Sequence, residues 1–211
     1  MHRRWDYHSF PEVTSTMDVA QDLWNKGSQN SLWVRADKQT NGRGRQGRPW
    51  VSDPANFYGT FVFQTTLPQN RQFIYSFAAS LAVREALLSF GLKDIFVKWP
   101  NDVWVSHKKI AGLLLESIDP KTMMIGIGVN LEPTDVSNSP YGVTSFLEET
   151  NQVLRPEELG HKLITILDFH LEIAESADYQ SLLERWYGVC MHRDIPLTIG
   201  SGETQRGICR G

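Results

Sequence analysis

The 211-residue chain has only two cysteines, Cys190 and Cys209, and no long run of apolar residues. Two thiols in a chain of this length are typical of a reducing compartment and argue against a disulfide-held scaffold. The N-terminal residues carry basic side chains with no apolar segment behind them, so we expect neither a signal peptide nor a transmembrane helix. The sequence therefore predicts a cytoplasmic protein that does not contact a membrane.

The chain also lacks the short motifs that mark a protein nucleophile or a zinc site. It contains no G-x-S-x-G, and neither cysteine lies in a catalytic motif. The six histidines form no i,i+4 pair and no H-E-x-x-H, so we expect no zinc site. His170 lies near the apolar stripe of a predicted helix and is expected to pack there rather than to bind a ligand.

Charge of one sign is not in excess either, because 24 acidic residues oppose 21 basic ones and the net charge is -3. A chain with this balance is not a nucleic-acid binder by bulk charge, so we expect no DNA partner and look for a local basic site. Hydrophobic residues make up 41% of the chain and charged residues 21%. This composition favours one sizeable globular domain with a real core, perhaps with a small appendage.

Hydrophobic periodicity predicts an α+β fold. We predict strands at 31–37, 57–67, 95–99, 102–105, 110–118, 122–131 and 195–199. We predict helices from the Ser15 N-cap to about Lys26, over 73–88, from Pro156 onward and over 180–187. Residues 1–14 are interpreted as an irregular lead-in or a short strand, and 132–154 as a polar connection. The pattern indicates a mixed, mostly antiparallel sheet with helices packed on one side.

The most unusual stretch is Gly42-Arg43-Gly44-Arg45-Gln46-Gly47-Arg48. It matches G-x-G-x-x-G after a strand, but the dinucleotide fingerprint needs a helix to begin there, and Pro49 and Pro54 prevent one. What remains is a loop whose glycines let backbone N–H groups approach an anion and whose arginines match carboxylate and phosphate geometry. A solvated basic loop and an RNA contact of the RG type are the alternatives.

Two further segments carry candidate site residues. The turn Lys98-Trp99-Pro100-Asn101-Asp102 follows a strand, and Lys109 begins a strongly apolar strand. Lys109 is either a charge at the end of a hairpin or a cation aimed at a ligand. Gly126 and Gly128 allow close approach of a ligand or of another backbone, or else mark tight packing in the sheet.

Together and in this order, these blocks resemble the biotin–protein ligase family over roughly residues 8 to 190. The resemblance rests on Ser15–Thr16, Gln39, Gly42–Trp50, Lys98–Asp102, Lys109–Gly112 and Gly126–Asn130. It implies the class II synthetase-like biotin/lipoate ligase fold. Under this interpretation, residues 1–191 form the catalytic domain, and 192–211 begin a small SH3-like β domain that is incomplete.

The resemblance further implies an ATP-dependent enzyme that forms biotinyl-5'-AMP and transfers biotin to a lysine of a biotin carboxyl carrier protein domain, in acetyl-CoA carboxylase or a related carboxylase. The biotin side is predicted to comprise Ser15, Thr16, Met17, Gln39, Arg43, Gly44, Arg45, Lys109 and Gly112. The nucleotide side is predicted to comprise Arg48, Trp50, Asn101, Asp102 and Asn130. Lys109, Arg45 and Arg43 are the predicted catalytic residues. Family members often carry asparagine where this chain has Met17.

This chemistry brings a carboxylate against the polyanion ATP, so preorganised cations and Mg²⁺ must offset the repulsion. Adenylation itself activates the acid, which agrees with the missing protein nucleophile. A glycine-rich loop that closes over the labile adenylate would protect it from water. ATP and biotin are thus the expected substrates, with Mg²⁺ as the metal.

Two alternatives stay open. A lipoate ligase or octanoyl transferase shares the fold, although the GRGRQGRPW block argues against it. A non-enzymatic RNA- or ligand-binding module built on the arginine loop is the second alternative. Because the Ser15 block begins so early, we expect no N-terminal helix-turn-helix and no repression through one. A homodimer formed through sheet edges is compatible with the resemblance.

Overall fold

The structure is a computed structural model that describes residues 3–134, 142–199 and 205–209. The helices are Thr16–Asn25 (α1), Ile74–Ser89 (α2), Phe146–Thr150 (α3), Pro156–Glu175 (α4) and Tyr179–Gly188 (α5). The strands are Trp5–Val13 (β1), Ser31–Gln39 (β2), Phe57–Gln64 (β3), Ile95–Lys98 (β4), Asp102–Val105 (β5), Lys108–Asp119 (β6), Thr122–Val129 (β7), Pro196–Ile199 (β8) and Gln205–Ile208 (β9).

The first seven strands form one sheet in the order β1-β2-β3-β7-β6-β5-β4. Strands β1 and β2 are parallel, and every other neighbouring pair in this sheet is antiparallel. The predicted mixed, mostly antiparallel sheet is therefore confirmed. The strands predicted at 102–105 and 110–118 are also present as β5 and β6, which form a hairpin with Val105 paired to Lys108.

The two faces of the sheet carry different helices. Trp33, Phe61 and Phe63 point into the larger core, which α2 and α4 cover. Leu32, Val34, Val62 and Met124 point to the other face, where they pack against Met17 and Ala20 of α1.

The prediction that all helices pack on one side is therefore corrected for α1. The parallel strands β1 and β2 need a crossover connection, and α1 supplies it on the face opposite to α2 and α4. One consequence is that α1 shares its face of the sheet with the predicted site.

The start of α1 follows the sequence prediction. Ser15 is the N-cap, and its Oγ accepts a hydrogen bond from the backbone N–H of Met17 at 3.2 Å. The sequence predicts neither α3 nor β9, and it predicts β1 only as one of two alternatives. The connection at 132–154 contains α3, which Ser145 caps and which buries Phe146. Residues 1–14, left open between a lead-in and a strand, contain the nine-residue strand β1.

Strands β8 and β9 form a separate two-stranded antiparallel sheet at the C-terminal end of the chain. The backbone N–H of Asp194 donates to the carbonyl of Cys209 at 2.8 Å, and the Tyr187 hydroxyl donates to the same carbonyl at 3.0 Å.

The division at residue 191 stays a prediction, since parts of 192–211 and of 132–154 lie outside the described residues. Among the described residues, none of the helices combines the length and apolar character needed to cross a membrane.

Candidate active site

The predicted site residues gather on the α1 face of the sheet, over β6 and β7. Gly112 of β6 pairs with Gly128 of β7 across the ladder. A Cβ built on Gly126 would lie 2.8 Å from Sδ of Met17, and one on Gly128 would lie 2.6 Å from the Trp50 ring. Helix α1 and the segment around Trp50 therefore cover neighbouring parts of one surface.

Residues Gly42–Trp50 fold into a short hairpin, here called the arginine hairpin. At its base, the backbone N–H of Trp50 donates to the carbonyl of Gly42 at 2.9 Å. Further along, the N–H of Gly44 donates to the carbonyl of Arg48 at 2.7 Å. The tip is a 3-10 turn over Arg45–Gly47 in which Gln46 has a φ of 59° and Gly47 a φ of 70°. Gly47 adopts this left-handed backbone without a Cβ clash, whereas Gln46 adopts it as a non-glycine residue.

Trp50 lies directly on the sheet because two glycines leave room for its indole. A Cβ on Gly112 would lie 2.7 Å from the ring, and one on Gly128 would lie 2.6 Å from it, closer than such contacts allow. The Nζ of Lys109 lies 5.2 Å from the ring centroid of Trp50. The close approach predicted at Gly128 is thus made by an aromatic side chain.

A buried polar cluster fixes the start of α1. Oε1 of Gln39 accepts hydrogen bonds from the backbone N–H of Thr16 at 2.8 Å and from its hydroxyl at 3.0 Å. The hydroxyl of Thr60 donates to that of Thr16 at 2.8 Å, and Nε2 of Gln39 donates to Oγ of Ser52 at 3.3 Å. These bonds hold the side-chain amide of Gln39 in one orientation.

The side chain of Arg43 bridges two carboxylates. Its guanidinium donates to Oδ1 of Asp18 at 2.5 Å, to Oε2 of Glu116 at 3.2 Å and to Oγ of Ser15 at 3.2 Å. Burial lowers the pKa of Arg43, but the hydrogen bonds and charges of Glu116 and Asp18 outweigh burial and raise that pKa above its ordinary value. Arg43 is thereby linked to α1 and to β6 at once.

Lys109 lies in a locally positive cluster. Its Nζ is 2.7 Å from Oδ1 of Asp102. The Nζ of Lys98 lies 3.7 Å from the ring centroid of Trp104. Burial lowers the pKa of Lys98, and the charge of Lys109 lowers it further against the attraction of Asp102. One carboxylate therefore faces two ammonium groups, so an additional anion would be attracted here.

Asn101 connects the arginine hairpin to β6. Its side-chain amide donates to the carbonyl of Leu113, and the N–H of Leu113 donates back to the carbonyl of Asn101 at 2.9 Å. Oδ1 of Asn101 accepts a hydrogen bond from Arg45 at 3.2 Å. Nε of Arg48 donates to the carbonyl of Arg45 at 3.3 Å, so this contact stays within the hairpin.

The backbone N–H of Asn130 donates to the carbonyl of Ile110 in β6 at 2.9 Å, but its side chain bonds to no other predicted site residue among the described hydrogen bonds. Its Nδ2 donates to the carbonyl of Thr144 at 3.2 Å, and its carbonyl accepts from the N–H of Phe146 at 3.0 Å. The other predicted residues form one connected surface, built from the start of α1, the end of β2, the arginine hairpin, Asn101, β5 and β6. Within the described parts of the chain, no group of three or more His, Cys, Asp or Glu side chains is arranged to hold a metal ion.

Comparison with known proteins identifies the family of this chain. Residues 9–131, more than half of the chain, match the sequence model of the biotin/lipoate A/B protein ligase family. The chain belongs to this family. The matched stretch of the biotin/lipoate A/B protein ligase family contains every predicted site residue, from Ser15 to Asn130.

Curated relatives within the family are named as biotin ligases. The chain is 39% identical over 142 residues to a biotin–[acetyl-CoA-carboxylase] ligase of Paracoccus denitrificans, covering 63% of this chain and 59% of that protein. It is 32% identical over 187 residues to the bifunctional ligase/repressor BirA of Salmonella typhimurium, covering 83% of this chain and 57% of that protein. The chain thus spans less than three fifths of the length of these relatives.

A solved structure of the family agrees with the fold. The biotin protein ligase from Leishmania major, in complex with biotinyl-5-AMP, superposes with a TM-score of 0.77 at 27% sequence identity. The alignment covers 93% of this chain and 84% of that one. The predicted fold class is confirmed, apart from the side on which α1 packs.

Sequence reasoning missed the acidic partners of Arg43. The N-cap pattern at Ser15 does not mark Asp18 as a partner of Arg43, and the apolar pattern of the strand after Lys109 does not mark Glu116. The sequence does contain a signal for Glu116, which ends the apolar run IAGLLLE. A charged side chain in such a strand favours a specific partner of opposite charge.

Proposed function

We propose that the chain is an ATP-dependent biotin–protein ligase that forms biotinyl-5'-AMP and transfers the biotinyl group to a lysine of a carrier domain. The observation that carries the proposal is the position of Lys109, which lies in a positive cluster under the arginine hairpin. Lys109 lies beside Trp50, whose indole packs on Gly112 and Gly128. The names of the relatives in Paracoccus denitrificans and Salmonella typhimurium, and the biotinyl-5-AMP bound to the Leishmania major protein, support the same activity.

In the first step, an oxygen of the biotin carboxylate attacks the α-phosphate of ATP, and the bond from that phosphate to the departing pyrophosphate breaks. Both reactants are anions, so their approach must be offset by fixed positive charge. Lys109 supplies a point charge held in place by Asp102, and Arg45 and Arg48 supply forked donors from the tip of the hairpin. The ATP phosphates would carry Mg²⁺ as their counter-ion, which would share their charge, since this ion is commonly bound through substrate phosphates rather than in an all-protein cage.

The two substrates occupy different ends of this surface in our proposal. Biotin lies toward the polar cluster of Ser15, Thr16 and Gln39, with Met17, Gly44 and Gly112 along its path. The nucleotide lies toward Trp50, Arg48, Asn101, Asp102 and Asn130. Since the indole of Trp50 already packs on Gly112 and Gly128, it provides an apolar boundary between the two ends.

In the second step, the neutral amine of a carrier lysine attacks the acyl carbon of the adenylate. AMP leaves with the electron pair of the broken anhydride bond, and the nitrogen releases one proton to water. No protein nucleophile is needed, because the adenylate is already an activated acid. The arginine hairpin keeps water away from the anhydride until the lysine arrives. A biotin carboxyl carrier domain of acetyl-CoA carboxylase or a related carboxylase is the proposed partner, in line with the name of the Paracoccus denitrificans relative.

The test is transfer to a purified carrier domain. The chain is mixed with biotin, ATP, Mg²⁺ and the carrier, and intact mass followed by peptide mapping measures the product. We expect one biotinyl group on one lysine, with no product when ATP is left out. Lipoic acid replaces biotin in a parallel reaction, because the family as a whole covers both acids. Lipoyl transfer that exceeds biotinyl transfer would contradict the proposal, and so would the absence of any transfer.

A further inference from the structure

We propose that Asp18 and Glu116 are positioning residues that hold Arg43 and thereby fix the base of the arginine hairpin, so that only its tip opens and closes over the ligand. The two carboxylates lie on α1 and on β6, and both bind the guanidinium of Arg43 in the first strand of the hairpin. The effect on adenylate retention rests on the proposed function, whereas the effect on hairpin motion does not.

The guanidinium of Arg43 anchors the first strand of the arginine hairpin. Arg43 donates to Asp18 at 2.5 Å, to Glu116 at 3.2 Å and to Ser15 at 3.2 Å. The side chains of Arg43, Asp18 and Glu116 are 30%, 46% and 39% exposed, so water screens each pair. Three partners on one planar fork still define its position better than a single exposed pair does.

Packing of Trp50 anchors the second strand of the arginine hairpin. Trp50, the last residue of the arginine hairpin, lies on Gly112 and Gly128. A Cβ on Gly42, the first residue, would lie 2.8 Å from the carbonyl oxygen of Trp50, so the two ends of the hairpin are in close contact. Both ends of the base are therefore tied to the sheet or to α1.

The tip has no comparable anchor among its described contacts. Arg45 makes one exposed hydrogen bond to Asn101 at 3.2 Å, and the side chain of Arg48 bonds back to the tip itself. A segment held by few exposed hydrogen bonds opens at low free-energy cost. We therefore infer that the tip, Arg45–Gly47, moves together with the flanking Gly44 and Arg48, whereas Gly42, Arg43 and Trp50 remain in place.

The local charge indicates that Arg43 holds the base of the arginine hairpin in position and does not bind a substrate anion. Its guanidinium faces two carboxylates, so the cluster is negative before any ligand arrives. The cluster of Lys98, Asp102 and Lys109 has the opposite balance. A carboxylate or phosphate is therefore drawn to Lys109 and repelled at Arg43.

Site-resolved limited trypsin digestion tests the anchor without relying on activity. Trypsin can cut after Arg43 and after Arg45, whereas the bond after Arg48 is protected by Pro49. In the wild-type chain we expect cleavage after Arg45 to be faster than cleavage after Arg43. The Glu116→Gln and Asp18→Asn variants should each speed cleavage after Arg43 about two- to fivefold, the scale of a partly exposed ion pair.

The matched control is Glu12→Gln, which removes a carboxylate 2.8 Å from Lys38 on the exposed side of β1 and β2. It should leave both cleavage rates unchanged. Arg43→Lys keeps the charge but loses the fork, so we expect it to behave like Glu116→Gln. Melting temperatures verify that each variant is folded, and the ratio of the two wild-type rates remains a test if a variant does not fold. Equal wild-type rates, or unchanged cleavage after Arg43 in folded Glu116→Gln and Asp18→Asn, would overturn the proposal.

A second readout separates positioning from substrate binding. With biotin and ATP, Glu116→Gln should release biotinyl-AMP into solution faster than the wild-type chain, while the KM for biotin changes less than about twofold. A large rise in that KM with unaltered adenylate release would instead place Glu116 in the biotin pocket and contradict our assignment. If the wild-type chain makes no biotinyl-AMP, the proposed function fails, whereas the protease result still decides whether the anchor exists.

Discussion

The Nζ of Lys109 lies 2.7 Å from Oδ1 of Asp102, and both side chains are about a quarter exposed. This ion pair holds the ammonium group beside the indole of Trp50 rather than leaving it free at a hairpin end. Because Lys98 also faces Asp102, the carboxylate does not cancel the local positive charge. Lys109 is therefore a positioned cation with charge still available to an anion.

Lys109→Ala should strongly reduce biotinyl-AMP formation. Removing one preorganised donor to a developing charge costs about 2 to 4 kcal/mol of transition-state stabilisation, which corresponds to a rate loss of about 30- to 1000-fold. Lys109→Arg should also be poorly active, because a forked guanidinium does not replace a compact ammonium group. Single-turnover kinetics at saturating biotin and ATP measure both variants.

The control is Lys108→Ala, which removes the exposed neighbouring lysine from the same strand. It should retain activity close to that of the wild-type chain. Turnover of Lys109→Ala within about threefold of wild type would remove Lys109 from the reaction, since such a difference is small against the scale expected for a catalytic cation.

Gly128→Ala should displace Trp50, because the added methyl group would lie 2.6 Å from the indole. We expect weaker nucleotide binding and a loss of stability of about 1 to 3 kcal/mol, the usual cost of overpacking. Gly188→Ala serves as the control, since a Cβ there meets nothing within 4 Å. Adding Trp50→Ala to Gly128→Ala should restore part of the lost stability, and purely additive effects in denaturant titrations would show that the two residues do not interact.

Arg45→Gly should loosen retention of the adenylate more than capture of biotin. Arg45 lies at the tip of the arginine hairpin and contacts Asn101 at 3.2 Å, so its loss frees the tip. The expected result is release of biotinyl-AMP and labelling of lysines on bystander proteins, with Arg4→Gly as the exposed-arginine control. Strict labelling of the carrier alone, at an unchanged rate of adenylate release, would refute this role.

A chain ending at Met191 should still make biotinyl-AMP. The predicted site residues all precede residue 131, and the truncation keeps the hydrogen bond from the Met191 N–H to the carbonyl of Val97. It removes the contact between Tyr187 and Cys209, so we expect some loss of stability. Transfer to a carrier domain is expected to weaken more than adenylation. Complete loss of adenylation in a folded truncated chain would assign part of the nucleotide site to the tail.

The carboxylate of Glu85 should make stability depend on pH in the acidic range. Burial raises the pKa of Glu85, but the hydrogen bond with His170 at 3.0 Å and the charge of Arg185 outweigh burial and lower the pKa below its ordinary value of 4.5. Since the folded pKa is the lower one, the contribution is present above pH 4.5 and is lost as the pH falls through the folded pKa.

Glu85→Gln should therefore lower the free energy of unfolding at pH 7 by about 1 kcal/mol, and the difference from wild type should shrink below about pH 4. Denaturant titrations at several pH values measure this. Glu184→Gln, on the exposed side of α5, is the control and should show a smaller difference. A difference that stays constant down to pH 3 would mean that the ionised carboxylate is not the stabilising group.

Much of the fold could be predicted because its signals are local. Ser15 marks the start of α1 through an N-cap bond that reaches only to Met17. The arginine hairpin and the glycines under Trp50 can also be recognised from the sequence itself. Glycine stands where a Cβ would collide with the indole or where the backbone is left-handed. The predicted site residues, apart from Asn130, come together on one surface.

What could not be predicted depends on contacts between distant parts of the chain. The pairing of Arg43 with Glu116 joins residues 73 positions apart, and sequence periodicity carries no information on it. The side of the sheet on which α1 packs depends on the parallel pairing of β1 with β2. Helix α3 was missed because its five residues are too few for a periodic pattern, although Phe146 is fully buried.

The measurement that tests the central claim most directly is mass-spectrometric detection of biotinyl-AMP after mixing biotin, ATP and Mg²⁺ with the wild-type chain or with Lys109→Ala. The account predicts biotinyl-AMP from the wild-type chain and at least about 30-fold less from the variant. A folded wild-type chain that makes no biotinyl-AMP, or equal amounts from both proteins, would contradict it.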